Sequence, residues 1–228
     1  MTQRCLPLSL ATLRMNKSGF SRLVAAFMPM LAGVPVTAFA QPAPDLKQAP
    51  SIWDEGFGQG FRSGTESVNM SLGVNYGVPM LGGRESHHLA LTSVSYSRMA
   101  GRVRNKRHWY RGNWEIRAEI FGGAEFSPEK EWVVGLTPHL RYNFATGTRW
   151  MPFIDIGAGV TATSIGPPDL GGIFEFNLQG CVGTHWFFQE NMALTFEGRY
   201  LHLSCAGISD PNLGLNGAAG FVGLSFFW

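Results

Sequence analysis

The sequence predicts an all-β protein: an eight-stranded antiparallel transmembrane β-barrel preceded by a cleaved signal peptide. Three observations predict it. The first 40 residues have the composition of an export signal, no second long apolar run follows them, and segments of about ten residues then alternate apolar and polar side chains. Lipid admits only helices and closed barrels, because every backbone polar group there needs a partner within the protein.

Residues 1–40 are interpreted as a signal peptide that is cleaved after Ala40. They contain four basic and no acidic residues, then an apolar stretch at 23–39 that ends in small residues. Pro29 and Pro35 interrupt this stretch, which disfavours a spanning helix of roughly 20 residues. Cleavage leaves 188 of 228 residues, enough for one domain, and lowers Lys and Arg from 18 to 14 against 16 Asp and Glu. This balance argues against a nucleic-acid partner.

The first four predicted strands differ in the clarity of their alternation. At 68–76, apolar residues alternate with Asn, Ser and Gly, and at 114–120 and 134–142 they alternate with charged residues, His and Thr. The segment 89–99 alternates poorly, but it is needed for an even number of strands, which closes as antiparallel hairpins. Residues 41–66, before the barrel at 67–228, are expected to form an N-terminal arm or an extra strand.

The last four predicted strands are clearer. They lie at 154–160, 174–186, 192–204 and 220–228, and the last ends in Trp228. A C-terminal aromatic residue on such a strand resembles the assembly signal of bacterial outer-membrane proteins. The localisation expected from these features is the bacterial outer membrane.

The polar residues of these strands predict a plugged interior. In an eight-stranded barrel the side chains fill the lumen, so an ionic network inside is expected to close it rather than to transport solutes. The residues expected in this network are Glu115, Arg117, Glu119, His139, Arg141, Asp155, Glu175, Glu197 and Arg199.

A turn at 189–191 predicts the register of the two strands that flank it. If Phe188 lies opposite Met192, Leu178 lies opposite His202 and Phe176 opposite Ser204. The same register puts Cys181 roughly 20 Å from Cys205, far beyond the ~7 Å Cα separation of a disulfide. We therefore expect two thiols.

His202 and Ser204 are the candidate reactive residues, because they share the apolar face of 192–204 at positions i and i+2. The stretch from His202 to Gly207 (HLSCAG), followed by Asp210 to Asn216 (DPNLGLN), resembles the active-site region of lipid A 3-O-deacylases of the PagL type. The segment 150–159, the strand count and the signal peptide agree with this resemblance.

The resemblance implies an outer-membrane serine esterase that removes the acyl chain at the 3 position of lipid A in the outer leaflet, without metal or organic cofactor. Ser204 would be the nucleophile and His202 the general base, since a serine hydroxyl needs a base within about 3 Å. The family's acidic third residue falls on Asn216, and the Asn that usually follows the serine is Cys205. Oxyanion donors are expected from the Cys205 and Gly207 amides. Candidates for an acyl-chain groove are Leu178, Phe176 and Tyr200.

Two alternatives remain open at this stage. Asn216 in place of an acid favours a noncatalytic small barrel, structural or adhesive and similar to opacity proteins, whereas a phospholipase-type barrel would require calcium. The adjacent His87 and His88 point to opposite strand faces, so they predict no metal site. The basic and aromatic run 102–111 could contact lipid phosphates, and the side of the membrane on which it lies is open. A homo-oligomer is possible.

Overall fold

The computed structural model describes residues 51–79, 86–208, 210 and 212–228, so the predicted signal peptide lies outside the described residues. Eight antiparallel strands follow in chain order around a closed barrel, and the first pairs with the last. The predicted fold class is thus confirmed. Within the described ranges, no helix is long and apolar enough to cross a membrane. The strands are β1 (Glu66–Gly77), β2 (His88–Met99), β3 (Gly112–Ser127), β4 (Trp132–Phe144), β5 (Trp150–Thr163), β6 (Phe174–Gln189), β7 (Met192–Ser204) and β8 (Leu215–Phe227).

The two ends of the barrel have different connections. β1 begins and β8 ends at one end, which we call the terminal end, and the opposite end, which we call the loop end, carries the connections 164–173 and 205–214. The basic run 102–111 joins β2 to β3, and therefore lies at the terminal end.

The outward face of the barrel is apolar, as the alternation predicts. Large apolar side chains are exposed around the whole circumference, for example Leu72 at 70%, Ile116 at 61% and Val182 at 62%. A water-soluble protein would bury this area, whereas a lipid-facing band consists of such residues. The alternation therefore indicates which side chains of each strand face lipid and which face the interior.

An ionic belt crosses the middle of the interior. Arg199 Nη1 lies 2.5 Å from Glu119 Oε1, Arg141 Nη2 lies 3.0 Å from Glu197 Oε2, and Arg141 Nε donates to Asp155 Oδ2 at 2.8 Å. Arg117 bonds Glu119 and Asp155, and His139 Nδ1 bonds Asp155. The predicted network is thus present. Two of its expected members form no ion pair with a described residue: Glu115 lies opposite Arg141 but accepts a hydrogen bond from Asn143, and the carboxylate of Glu175 is buried away from the guanidinium groups.

Apolar clusters cover the belt on both sides. The cluster at the loop end includes Leu89, Leu91, Phe121 and Leu203. This explains why 89–99 alternates poorly in sequence: its inward positions are Leu at the loop end and Ser farther along, while Val94 and Tyr96 point outward. The strand itself alternates regularly between buried and exposed positions.

The cluster at the terminal end contains residues that precede β1. Trp53 and Phe61 form an isolated bridge and are 4% and 0% exposed. Phe61 stacks on Phe227 with ring centroids 5.1 Å apart, and Trp53 contacts Phe187 at 4.9 Å. Residues 51–65 thus pack over the end of the barrel and contribute none of its strands.

The predicted register between β6 and β7 holds over most of the hairpin. Cys181 pairs with Arg199, and no disulfide joins the two cysteines of the described chain. The prediction is wrong only beside the turn, where Gln189 rather than Phe188 pairs with Met192. A bulge between Phe187 and Gln189 takes up the extra residue, so the register farther along is unchanged.

Candidate active site

His202 and Ser204 lie on the outward face of β7, close to the loop end. Along β7 the odd-numbered side chains are buried inside the barrel, and the even-numbered ones are partly or fully exposed. His202 pairs with Leu178, and Ser204 pairs with Phe176. The imidazole and the hydroxyl therefore share one face with apolar neighbours, as the sequence predicts.

Asn216 reaches this face from the neighbouring strand. The sequence pattern predicts that the last strand starts at residue 220, which would leave Asn216 in a loop. This prediction is wrong, because β8 begins at Leu215. Small residues at 217–220 hide the alternation in the sequence. In the antiparallel register Asn216 lies directly opposite His202, and its Oδ1 accepts a 2.8 Å hydrogen bond from His202 Nδ1. In a neutral ring this bond puts the proton on Nδ1 and leaves the lone pair on Nε2.

Tyr200 binds the same amide oxygen. Its hydroxyl donates to Asn216 Oδ1 at 2.6 Å, and the residue is 37% exposed on the outward face. With two donors on Oδ1, the oxygen of the amide faces His202 and the NH2 group points away. Sequence reasoning missed this bond. The available signal was the position of Tyr200 two residues before His202, which makes it a diagonal cross-strand neighbour of Asn216.

Ser204 ends β7 without a bond to the imidazole. Among the described residues, no hydrogen bond joins Ser204 Oγ to the His202 ring. Residues two apart on a strand have Cα atoms roughly 6.5 Å apart, and catalytic hydrogen bonds often tighten only when substrate binds. The placement is therefore compatible with proton transfer between the two side chains.

The chain turns sharply after Ser204. Ala206 and Gly207 have φ angles of +54° and +78°, and Ile208 N–H donates to Cys205 O at 3.1 Å. The Cys205 amide, a predicted oxyanion donor, donates to Asn212 Oδ1 at 3.1 Å. Cys205 N–H would have to leave Asn212 before it could bind an oxyanion, whereas Gly207 lies on the exposed side of the turn.

Two of the predicted acyl-groove residues, Leu178 and Tyr200, border an apolar depression on the outer face, whereas Phe176 lies beside it, opposite Ser204. Phe176, Leu178 and Tyr200 are 38%, 54% and 37% exposed. Beyond Leu178 and Tyr200 the depression continues over the outward side of Gly180, where an added Cβ would meet no atom within 4 Å. Its lining also includes the apolar residues Pro138, Leu140, Ile156 and Ala158. Apolar surface thus extends from Ser204 toward the middle of the barrel.

One group of potential metal ligands lies inside the barrel. Potential ligand atoms of His139, Asp155 and Cys181 are within 4.8 Å of one another. However, Asp155 already accepts hydrogen bonds from His139 and from the guanidinium groups of Arg141 and Arg117. The carboxylate of Asp155 is thus already paired with two guanidinium groups, and the cluster is part of the ionic belt.

Comparisons with known proteins identify the family and the fold of the chain. The family model described as lipid A 3-O-deacylase (PagL) matches residues 70–225. No curated protein matches the chain. Among solved structures, that of Neisserial surface protein A is 14% identical with a TM-score of 0.51, and the match covers 72% of this chain and 99% of that one. It supports the barrel fold.

Two further solved structures have lower TM-scores. The outer membrane enzyme PagL is 21% identical over 69% of this chain and 97% of that chain, with a TM-score of 0.49. The attachment invasion locus protein Ail of Yersinia pestis is 9% identical over 73% and 100%, with a TM-score of 0.44. Because the family model spans more than half of the sequence, including β7, the turn after it and Asn216, the chain belongs to the lipid A 3-O-deacylase (PagL) family.

Proposed function

We propose that the protein is an outer-membrane serine esterase that hydrolyses the ester-linked acyl chain at position 3 of lipid A. The observation that carries the proposal is the hydrogen bond from His202 to Asn216 on an apolar, outward face that also holds Ser204. Family membership supplies the substrate class. No step of the proposed reaction requires a metal or an organic cofactor.

In the proposed reaction Ser204 Oγ attacks the ester carbonyl, and His202 Nε2 takes the hydroxyl proton. The Gly207 amide in the turn after β7 is our candidate donor to the oxyanion, joined by the Cys205 amide once Asn212 releases it. Collapse of the tetrahedral intermediate expels the sugar hydroxyl, which receives the proton from His202. Water then hydrolyses the acyl-enzyme by the same proton transfers and releases a fatty acid.

Asn216 can orient the base but cannot balance its charge. In the serine protease template, an amide in place of the acid lowers kcat by about 10⁴, largely because the histidine takes the wrong tautomer. Here the amide oxygen accepts from Nδ1, so the productive tautomer is kept. We therefore expect slow turnover, with the His202 ring held in its productive orientation by Asn216.

The position of the site fits a lipid of the outer leaflet. With both chain termini in the periplasm, the loop end lies at the cell surface, and His202 and Ser204 lie near that end. The depression along Leu178, Gly180 and Tyr200 runs from there toward the membrane centre. An acyl chain in it would have its ester at the serine and its tail in lipid.

The test is to express the chain in a bacterial outer membrane and to compare lipid A by mass spectrometry with a Ser204→Ala variant. We expect loss of one ester-linked acyl chain with the unaltered protein and none with Ser204→Ala. Thr184→Ala is the matched control, because it removes a hydroxyl from the outward-facing row of β6 far from the site. Deacylation that persists in Ser204→Ala would exclude the proposed nucleophile.

Asn216 is the one observation that favours the noncatalytic barrel. A third variant, Asn216→Asp, keeps the side-chain shape and adds the missing charge. The unaltered chain could fold and leave lipid A unchanged while Asn216→Asp deacylates it. That pair of results would show that the protein kept the shape of the site and lost its turnover. Unchanged lipid A with both would reject the proposed esterase.

A further inference from the structure

A buried histidine at the loop end lies between two carboxylates that come from separate segments. His87 Nδ1 is 2.6 Å from Glu125 Oε1, near the end of β3, and His87 Nε2 is 3.2 Å from Asp169 Oδ2, in the connection from β5 to β6. All three side chains are nearly inaccessible, with residue exposures of 6%, 3% and 0%. We call these three residues the histidine clamp.

The clamp is connected to the loop that carries the candidate site. The main-chain oxygen of Asp169 accepts hydrogen bonds from Leu213 N–H at 3.0 Å and from Gly214 N–H at 3.1 Å. These two residues immediately precede β8 and Asn216. A shift of Asp169 therefore displaces the start of the strand that orients His202.

Gly214 also lies against the base itself. It has a φ of +80°, and a Cβ added there would be 3.1 Å from His202 Cε1. On the other side of β8, Val78 N–H donates to Asn216 O at 2.8 Å, and Gly77, next to Val78, packs against the backbone of His87. The clamp thus adjoins both chain segments that hold Asn216 in place.

The chemistry of the clamp makes it sensitive to loss of the imidazole. Without that ring, Glu125 and Asp169 each lose one buried hydrogen-bond partner, so Asp169 is no longer tied to His87 and Glu125. The connection 164–173 can then shift, and with it the main-chain oxygen of Asp169 that binds Leu213 and Gly214. The barrel strands need not move.

We propose that His87 is a positioning residue: through Glu125 and Asp169 it fixes the 205–214 connection, so that Gly214 and Asn216 hold the His202 imidazole in its productive orientation. This inference rests on the proposed function. His87 does not touch the substrate, so its loss acts on turnover. A displacement of about 1 Å at a catalytic group costs up to about a hundredfold in rate.

The experiment measures kcat and KM for release of fatty acid from lipid A in detergent micelles. For His87→Ala we expect kcat to fall at least about tenfold with KM nearly unchanged, and faster hydrogen exchange at Leu213 and Gly214. His185→Ala is the matched control: His185 is also buried inside the barrel, bonds Thr195, and lies toward the terminal end. It should change neither kcat nor exchange in the 205–214 connection.

Glu125→Gln guards against a variant that fails to fold, because it keeps the side-chain shape and an acceptor for Nδ1–H. It should lower kcat less than His87→Ala does. Equal losses in His87→Ala and His185→Ala, or full turnover in His87→Ala, would overturn the positioning role while leaving the proposed esterase intact. If the unaltered chain itself releases no fatty acid, the proposed function fails, and this inference fails with it.

Discussion

The two ends of the barrel are closed by different means. At the terminal end, Trp53, Phe61, Phe187 and Phe227 pack ring against ring, and hydrophobic burial holds residues 51–65 in place. The loop end also has an apolar cluster, but charged and polar contacts between connections are added to it, with His87 at their centre. Hydrophobic burial is non-directional, whereas hydrogen bonds fix distance and direction. The difference indicates that apolar burial stabilises both ends and that the polar contacts of the loop end add precise geometry.

The largest expected effect concerns the stability that aromatic packing provides at the terminal end. Phe61→Ala should lower the free energy of unfolding by about 3–5 kcal/mol, because it opens a cavity among the three aromatic side chains that contact Phe61, which are Trp53, Phe187 and Phe227. Turnover per folded molecule should stay unchanged. Urea unfolding in lipid vesicles, followed by tryptophan fluorescence, measures the first quantity, and fatty acid release measures the second.

Phe196→Ala is the control for this variant. Phe196 is 38% exposed on the lipid face, so its removal leaves no enclosed cavity and should cost less stability. A Phe61→Ala protein with normal stability and reduced kcat would contradict the roles assigned to the two ends.

The intermediate effect compares two glycines with positive φ. Gly214→Ala should reduce kcat by about ten- to a hundredfold, because the new methyl group would press on His202 Cε1. Gly101→Ala introduces the same type of backbone strain at the terminal end, where φ is +111° and an added Cβ meets nothing within 4 Å. We expect it to lower stability only. Similar kcat values for the two variants would show that Gly214 does not position the base.

The smallest effect compares two tyrosine hydroxyls. Tyr200→Phe removes one donor from Asn216 Oδ1 and should lower kcat by up to about tenfold, the equivalent of one hydrogen bond of about 0.5–1.5 kcal/mol. Tyr142→Phe removes a comparable bond, to Tyr110 O, at the terminal end. Steady-state kinetics should show no change for that control. Equal kcat values for both variants would mean that Tyr200 contributes only its ring.

The features that follow from local periodicity were predictable from the sequence. The orientation of His202 and Ser204 and their partners on β6 follow from the alternation and from a short turn, because both act within about 30 residues of chain. The strand position of Asn216 was not visible, since small residues follow it and leave no alternation. Its contact with His202 depends on the pairing of β7 with β8.

Contacts between distant segments were beyond sequence reasoning. In the sequence His87 and His88 stand out only as an adjacent pair, whereas the partners of His87 lie 38 and 82 residues away along the chain. Alternation also reports only how a strand divides its apolar and polar residues. It could not distinguish an inward Leu89 at the apolar loop end from an outward, lipid-facing leucine.

The ionic belt has a consequence for the permeability of the membrane. Its ion pairs join three guanidinium groups, of Arg117, Arg141 and Arg199, to three carboxylates, of Glu119, Asp155 and Glu197, so their formal charges cancel. An ion that entered the lumen would have to break paired charges and then cross an apolar layer on either side. A cell can therefore carry many copies of this protein at its surface without losing the barrier that its outer membrane provides against small solutes.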